Sequence, residues 1–231
     1  MSSPFAIRLG AAAGWIGFLG ITLAFIAIPM ALAGQPPTAA TDLPTAMAYF
    51  RHPEFALING VIGVFVGVVA ILPFGIALRT VLSDVADDRS RAFADLGLAV
   101  LLVAAPVYLI SGSLGATLVQ AADGDAGLFA ILFRWYQVLY NGGADVLEGA
   151  WIGAFSLAML GGAMPRWLAW LGIVLGVSRC VKAFAPFVTL PAAVELVSGV
   201  LFLAWFAATV IVLTRIAFAQ RPVPVPDAAT A

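Results

Sequence analysis

Long apolar stretches, separated by short polar segments, dominate the chain as far as residue 217. A helix needs about 20 apolar residues to cross the hydrocarbon core of a bilayer. The pattern predicts six such helices in a single domain over residues 1–220, followed by a proline-rich, disordered tail over 221–231. The predicted bounds of the helices are 8–33, 55–79, 93–119, 144–163, 165–187 and 192–217. The predicted fold class is therefore an all-α integral membrane protein, built as a six-transmembrane-helix bundle.

The first apolar stretch permits a second interpretation. Arg8, the apolar run after it and the small residues Ala31-Leu32-Ala33 resemble a secretory signal peptide with its cleavage site. The apolar part of a signal peptide is usually about 7–15 residues long. Here it runs from Leu9 to beyond Ile28. The length favours a retained helix, and cleavage is the alternative.

Composition supports a lipid environment for these stretches. Hydrophobic residues make up 63% of the chain and charged residues only 10%, against about half and about a quarter in a typical soluble domain. Water offers no core large enough to bury so much apolar surface. The net charge of −1 gives no overall field that would attract nucleic acid.

Few residues in the chain could carry out chemistry. Cys180 is the only cysteine, and His52 is the only histidine and lies in a polar loop. One cysteine excludes an internal disulfide and a CxxC pair, and membrane haem sites need more histidines than one. Ser111 and Ser113 have no histidine nearby to activate them. We therefore expect no catalytic residue, no metal and no cofactor, and a protein that is not an enzyme.

The placement of arginine predicts the orientation, because cytoplasmic loops of membrane proteins carry an excess of Lys and Arg. The outer loops would carry Arg51, and the loop 120–125 contains Asp123 and Asp125 without a positive residue. Both termini are therefore expected on the cytoplasmic side. With that orientation, the arginines at the inner ends of the helices are Arg8, Arg79, Arg89, Arg91, Arg166, Arg215 and Arg221.

A stripe of polar residues runs along the long fourth apolar segment. Its members are spaced 3, 4, 4 and 3 residues apart, and on an α-helix they share an arc of roughly 80°. A helix over 126–160 would be about 52 Å long, against a bilayer core of about 30 Å. The segment is therefore either one long helix or two pieces broken at Gly142-Gly143. The stripe consists of Arg134, Gln137, Asn141, Asp145 and Glu148.

Further charges are expected at the same depth in the membrane. Arg179 and Lys182 lie three residues apart in the outer half of the fifth span, and Glu195 begins the sixth span. With the three charges of the stripe they make six ionisable groups whose charges sum to zero. Because an unpaired charge in lipid costs at least about 2.5–3.5 kcal/mol, the six should pair. We predict a charge-balanced polar cavity that opens to the outer face and is covered by the loop 34–54.

Two functions fit such a cavity. Ionisable residues inside a membrane usually mark a functional site, so the first hypothesis is a protein that binds or moves a small molecule or lipid, and mixed charge suits a zwitterionic or headgroup-like ligand. The alternative is a structural or accessory membrane subunit whose charge cluster only fixes helix packing. In that case glycine-rich helix faces would bind partner helices. Glycine pairs spaced for close helix contact are Gly10/Gly14, Gly63/Gly67 and Gly172/Gly176.

The stretch from Glu148 to Gly172 carries a family resemblance. It includes Gly161-Gly162-Ala163-Met164, then Pro165-Arg166, then Leu171-Gly172, with Ala169-Trp170 inserted relative to a tighter spacing. This pattern is similar to the bacterial multipass proteins called "domain of unknown function 4386". The resemblance implies a six-span protein of the bacterial inner membrane, and it implies no activity and no catalytic residues.

Overall fold

The computed structural model describes residues 4–34, 36–38, 41–63, 69–85, 87–188 and 190–219, and the tail predicted over 221–231 lies outside them. Over the described residues the chain forms helices and turns and contains no strand, which confirms the all-α fold class. The α-helices are α1 (Pro4–Ile21), α2 (Ile28–Ala33), α3 (Leu43–Phe50), α4 (Glu54–Leu57), α5 (Ile71–Val85), α6 (Asp88–Ala122), α7 (Ala126–Tyr136), α8 (Asp145–Met159), α9 (Arg166–Lys182) and α10 (Ala192–Ala219).

Three π-helical segments of six to eight described residues extend or join these helices, and Val69 and Ala70, directly before α5, are π-helical as well. Thr22–Ala27 connects α1 to α2, Ile58–Gly63 follows α4, and Gln137–Ala144 connects α7 to α8. Helical structure is therefore continuous over residues 126–159, and Gly142-Gly143 lies within it rather than at a break. π-Helical turns are rare and often occur at functional sites.

Within the described part of the chain, three helices are long and apolar enough to cross a membrane: Pro4–Ile21, Asp88–Ala122 and Ala193–Ala219. The second of them continues through Pro106 without interruption. Large apolar side chains also cover the outside of the bundle, among them Leu102 and Val103 on α6 and Val200 on α10. An apolar outer surface of this kind suits lipid, whereas in water it would be a site of association.

Polar caps and glycines set several helix ends. The carboxylate of Asp42 accepts a hydrogen bond from the amide of Thr45 at the start of α3, and Asp87 accepts one from the amide of Ser90 at the start of α6. Such caps satisfy backbone donors that have no partner within the helix. Gly162, in the turn between α8 and α9, has a φ of 98°, which a residue with a side chain rarely adopts.

Two glycines hold α8 and α9 close together. A Cβ atom on Gly149 would lie 2.6 Å from the carbonyl oxygen of Gly176, and one on Gly176 would lie 2.8 Å from the carbonyl oxygen of Gly149. No side chain fits at this crossing, so the two backbones are in contact. Gly172 of the predicted pair also lies in a close contact, against Ser156, whereas Gly67 of another pair lies outside the described residues.

The buried apolar side chains form two clusters. The larger one joins α1, α5, α6, α8, α9 and α10 around Trp151, Phe155 and Trp205. The smaller one joins α3, α4, α6 and α7 around Phe50 and Phe129. α3 belongs to the connecting segment between α2 and α4, which we call the strap (described residues 36–38 and 41–53). The smaller cluster holds the strap against the rest of the bundle.

Candidate functional site

A cavity of about 230 Å³ lies inside the bundle. Its walls include Ile71 and Phe202, which belong to the larger cluster. They also include Tyr136, which packs against the smaller cluster. The cavity therefore borders both apolar clusters. Residues from along the whole chain line it, for example Ile26, Asn59, Ser111, Glu148, Arg179 and Phe202.

Four charged side chains on α8 and α9 form a row along one wall of the cavity. Lys182 Nζ lies 3.0 Å from Asp145 Oδ2. Asp145 Oδ1 accepts a hydrogen bond of 2.9 Å from Arg179 Nη1. Arg179 Nε lies 3.4 Å from Glu148 Oε2, without an aligned hydrogen bond. The signs alternate along the row and the four charges sum to zero. We call these residues the charge row.

The close α8–α9 crossing accounts for the charge row. Asp145 and Glu148 lie one turn apart on α8, and Arg179 and Lys182 lie one turn apart on α9, so each pair shares a helix face. Asp145 and Glu148 precede Gly149, and Arg179 and Lys182 follow Gly176, so the glycine contact brings the two faces together. The guanidinium of Arg179 also lies over the ring of Phe202, 4.9 Å from its centroid, an arrangement that is favourable for a cation.

Uncharged polar groups line much of the remaining wall. Tyr108 oxygen accepts a hydrogen bond of 3.1 Å from Trp151 Nε1, so its own proton is available to another acceptor. The rings of Tyr136 and Tyr140 stack with their centroids 5.2 Å apart. Ser111 is buried, and its hydroxyl has no hydrogen-bond partner among the described residues. The cavity therefore combines charges, hydroxyl groups and aromatic faces.

Each of the three π-helical segments contributes to this cavity. Ile26 belongs to the segment Thr22–Ala27, Asn59 to Ile58–Gly63, and Tyr140 to Gln137–Ala144. Asn59 Nδ2 also donates to the carbonyl oxygen of Phe55 at 3.0 Å. Irregular helical turns in three separate parts of the chain thus meet at one place.

Half of the eight residues predicted from the sequence line the cavity. Asp145, Glu148, Arg179 and Lys182 do so, and they are the charge row. The others lie elsewhere: Arg134 is exposed in the last turn of α7, Glu195 is half-buried in the first turn of α10, and Gln137 and Asn141 hydrogen-bond to each other.

The strap lies against the part of the cavity wall that contains Tyr136. Gln137 Nε2 donates a hydrogen bond of 3.1 Å to the carbonyl oxygen of Pro37. The ring of Phe50 meets the ring of Tyr136 edge-on, with centroids 5.8 Å apart. Two parts of the strap therefore contact the lining residue Tyr136 and its neighbour Gln137.

Sequence reasoning missed the uncharged part of the lining. The sequence analysis gave no role to Tyr108, Tyr136 or Tyr140, and it considered Ser111 only as a nucleophile. One signal was available for two of the tyrosines: Tyr136 and Tyr140 are four residues apart within the segment that carries the polar stripe, so they share a helix face.

Over the described residues the protein is all-helical, with three helices long and apolar enough to cross a membrane and a cavity lined in part by charged side chains. No known protein family, no curated protein and no solved structure matches the chain. The resemblance of residues 148–172 to "domain of unknown function 4386" stays a prediction. Among the described residues, no group of three His, Cys, Asp or Glu side chains is arranged to hold a metal ion.

Proposed function

We propose that this chain is a six-span protein of the bacterial cytoplasmic membrane that binds or moves a small polar molecule or lipid headgroup through its cavity. The proposed spans are the six apolar stretches, with both termini in the cytoplasm. The excess of arginine at one set of helix ends supports this orientation. In it, the strap lies on the outer face, beside the part of the cavity wall that contains Tyr136.

The main support for the proposal is that the four residues of the charge row line a cavity. Taking charges out of water costs several kcal/mol per ion, and mutual pairing offsets only part of it. An ion-pair cluster that served packing alone would need no cavity, yet this one borders about 230 Å³. The lining also holds hydroxyl groups and aromatic faces, the mixture typical of small-molecule sites. Binding requires no catalytic group, in keeping with a non-enzymatic role.

Filling the cavity tests this function. Gly199 lines the cavity, and a Cβ atom added there would meet no atom within 4 Å, so Gly199→Val should fold and occupy part of the space. Gly153 is the matched control, because its Cβ atom would also meet nothing within 4 Å but it borders a separate apolar groove.

The measurement is the small-molecule mass that stays bound to the purified protein in native mass spectrometry. We expect wild type and Gly153→Val to retain the same bound mass and Gly199→Val to lose most of it. Equal retention by Gly199→Val and wild type, or a wild type that carries no bound mass under any extraction condition, would contradict a binding role for the cavity.

A structural or accessory subunit is the second candidate. The observation that favours it is that the four charges pair with one another, so the cluster needs no ligand to balance its charge. In that case the row would fix the register of α8 on α9. Asp145→Asn and Arg179→Gln would then lower the stability of the protein without changing the mass bound to it.

A further inference from the structure

The charge row indicates which ligand the cavity would take, and this inference rests on the proposed function. We propose that the ligand is a compact zwitterion that lies along the row, with its anionic group at Lys182 and its ammonium group at Glu148. The shared chemistry is one negative and one positive group on a small body. It could come from a free molecule or from the headgroup of a lipid such as phosphatidylethanolamine.

The two ends of the row differ from its middle. Asp145 and Arg179 each contact two members of the row, and their side chains are 5% and 10% exposed. Glu148 and Lys182 each contact one member, and both side chains are 15% exposed. The outermost cation and the outermost anion thus keep the most capacity for another partner. A ligand with one charge of each sign matches these two ends.

Charge balance excludes a ligand of one sign. The four charges of the row sum to zero, so an anion or a cation alone would add an uncompensated charge to a buried site. Such a charge is strongly unfavourable in a low-dielectric environment. A zwitterion keeps the cavity neutral while it engages both ends.

The surroundings of Glu148 suit an ammonium group. Trp151 lies one turn after Glu148 on α8 and donates to the oxygen of Tyr108, and Tyr108 and Glu148 line the same cavity. Aromatic faces beside a carboxylate attract ammonium groups. At the other end, the ammonium group of Lys182 can donate hydrogen bonds to a carboxylate or phosphate.

The size of the cavity limits the ligand to a small molecule or a headgroup. A volume of about 230 Å³ corresponds to about eight water molecules, since each takes about 30 Å³ in the liquid. Sites for drug-sized ligands start near about 300 Å³. A free ligand would therefore be of amino-acid size, and a lipid would place only its headgroup in the cavity.

Three probes of equal chain length test the charge requirement: 4-aminobutanoate, butanoate and butylamine, titrated calorimetrically into the full-length protein in detergent. We expect 4-aminobutanoate to bind about tenfold or more tightly than either singly charged probe, because each end adds a charge-assisted hydrogen bond. Lys182→Gln should remove the advantage over butylamine, and Glu148→Gln the advantage over butanoate. Lys182→Arg should restore it, and Arg79→Gln, outside the cavity, should leave it unchanged.

A second arm identifies the source of the zwitterion. The protein is placed in nanodiscs of phosphatidylethanolamine or of phosphatidylglycerol, and its thermal stability is compared. A lipid headgroup source predicts stabilisation by phosphatidylethanolamine in wild type that is lost in both Lys182→Gln and Glu148→Gln. A free source predicts discrimination among the soluble probes and no difference between the lipids. Either pattern supports the proposal.

Some outcomes would overturn the inference without overturning the proposed function. Equal affinity for all three soluble probes together with no lipid difference would do so, as would discrimination that persists in Lys182→Gln and Glu148→Gln. The inference would also be wrong if the mass that is lost in Gly199→Val proved to be an uncharged or singly charged molecule. The cavity would then remain a binding site with a different ligand class.

Discussion

At the scale of single residues, Asp145 and Arg179 are the centre of the site. Their hydrogen bond of 2.9 Å joins two side chains that are almost fully buried. Removal of one partner leaves the other as an uncompensated buried charge, which typically costs about 3–5 kcal/mol. Removal of both charges keeps the site neutral but leaves Lys182 and Glu148 without their partners in the row, so a double-mutant cycle measures how strongly Asp145 and Arg179 are coupled.

We expect Asp145→Asn and Arg179→Gln each to lower the stability of the protein by about 3–5 kcal/mol. The double variant should lose less than the sum of the two single losses, because it keeps the site neutral, but it should not regain the stability of wild type, because Lys182 and Glu148 lose their partners. The measurement is unfolding in detergent, followed by the signal of the buried tryptophans. Additive losses in the double variant would show that the two side chains do not act as a pair.

The exposed pair of Arg79 and Asp95 provides the control for this cycle. Arg79 Nε donates to Asp95 Oδ1 at 2.7 Å, and the two side chains are 40% and 52% exposed. An exposed pair contributes about 0–1 kcal/mol, so Arg79→Gln and Asp95→Asn should have small effects alone and together. A loss comparable to that of the buried pair would mean that the assay does not separate buried from exposed pairs.

The members of the charge row could be predicted from the sequence, whereas the tyrosines could not. Asp145 with Glu148 and Arg179 with Lys182 are charged residues three apart in apolar surroundings, so each pair must share a helix face and needs partners of opposite sign. Tyr108 and Tyr140 are amphipathic and suit the core, the interface or a cavity equally well. Their position depends on how each helix is rotated, which side-chain packing decides.

At the scale of helices, the contact of α8 with α9 decides whether the charge row forms. A Cβ atom on Gly176 would lie 2.8 Å from the carbonyl oxygen of Gly149 and 3.2 Å from the Cα atom of Gly153. These are backbone atoms, so only a movement of a whole helix could make room. Overpacking of this kind costs about 1–3 kcal/mol, and the movement would lengthen the ion pairs.

We therefore expect Gly176→Ala to lower thermal stability and to reduce the bound mass in native mass spectrometry. Gly153→Ala, on the facing helix, should have little effect, because its Cβ atom would meet nothing within 4 Å. Equal behaviour of the two variants would contradict the view that close α8–α9 contact assembles the charge row.

The cap of α3 gives the strap a pH dependence. The amide and hydroxyl of Thr45 both donate to the Asp42 carboxylate, and these hydrogen bonds lower the pKa of Asp42 from its ordinary value of 3.8. A lowered pKa in the folded state means that the cap contributes fully above pH 3.8 and is lost as the pH falls through the lowered pKa.

Hydrogen exchange at the Thr45 amide measures this contribution. At pH 7 we expect faster exchange in Asp42→Ala, where the acceptor is gone, and near-normal exchange in Asp42→Asn, because asparagine also caps helices. In wild type, protection corrected for the intrinsic rate should fall only below pH 3.8. Protection that is unchanged in Asp42→Ala would show that the cap does not hold α3.

The π-helical segment Gln137–Ala144 explains why the polar stripe was only partly predictable. The predicted stripe shares one helix face only if each residue of the segment advances the helix by about 100°. A π-helix pairs residue i with i+5 and so turns less per residue than an α-helix. Residues before this segment are therefore out of phase with those after it: Arg134 is exposed, whereas Asp145 lines the cavity. Apolar patterning gives no indication of where such a segment occurs.

At the scale of the whole molecule, several of the predicted apolar stretches overlap helices of the structure. The predicted 192–217 corresponds to Ala192–Ala219, and the predicted 165–187 to Arg166–Lys182 followed by turns. The predicted 93–119 is shorter than Asp88–Ala122, because the polar first turn of that helix is capped by Asp87. The polar turn therefore fell outside an apolar window. The arrangement of helices around one cavity depends on side-chain packing that a single sequence does not show.

The proposed orientation predicts the side from which the cavity can be reached. Ser111 lines the cavity and Ser156 is buried outside it, so each can be replaced by cysteine in a Cys180→Ala background that has no other thiol. A membrane-impermeant thiosulfonate should modify Ser111→Cys from the outer side and not from inverted vesicles, while Ser156→Cys stays unmodified from both sides.

The strap should slow this reaction, because Phe50 of the strap contacts the lining residue Tyr136 and Pro37 accepts a hydrogen bond from the neighbouring Gln137. Gln137→Leu removes that bond, and we expect it to raise the rate of modification of Ser111→Cys from outside. Modification only from inverted vesicles would reverse the orientation and place the strap in the cytoplasm. A rate unchanged by Gln137→Leu, with modification still from outside, would keep the orientation and show that the strap does not control access.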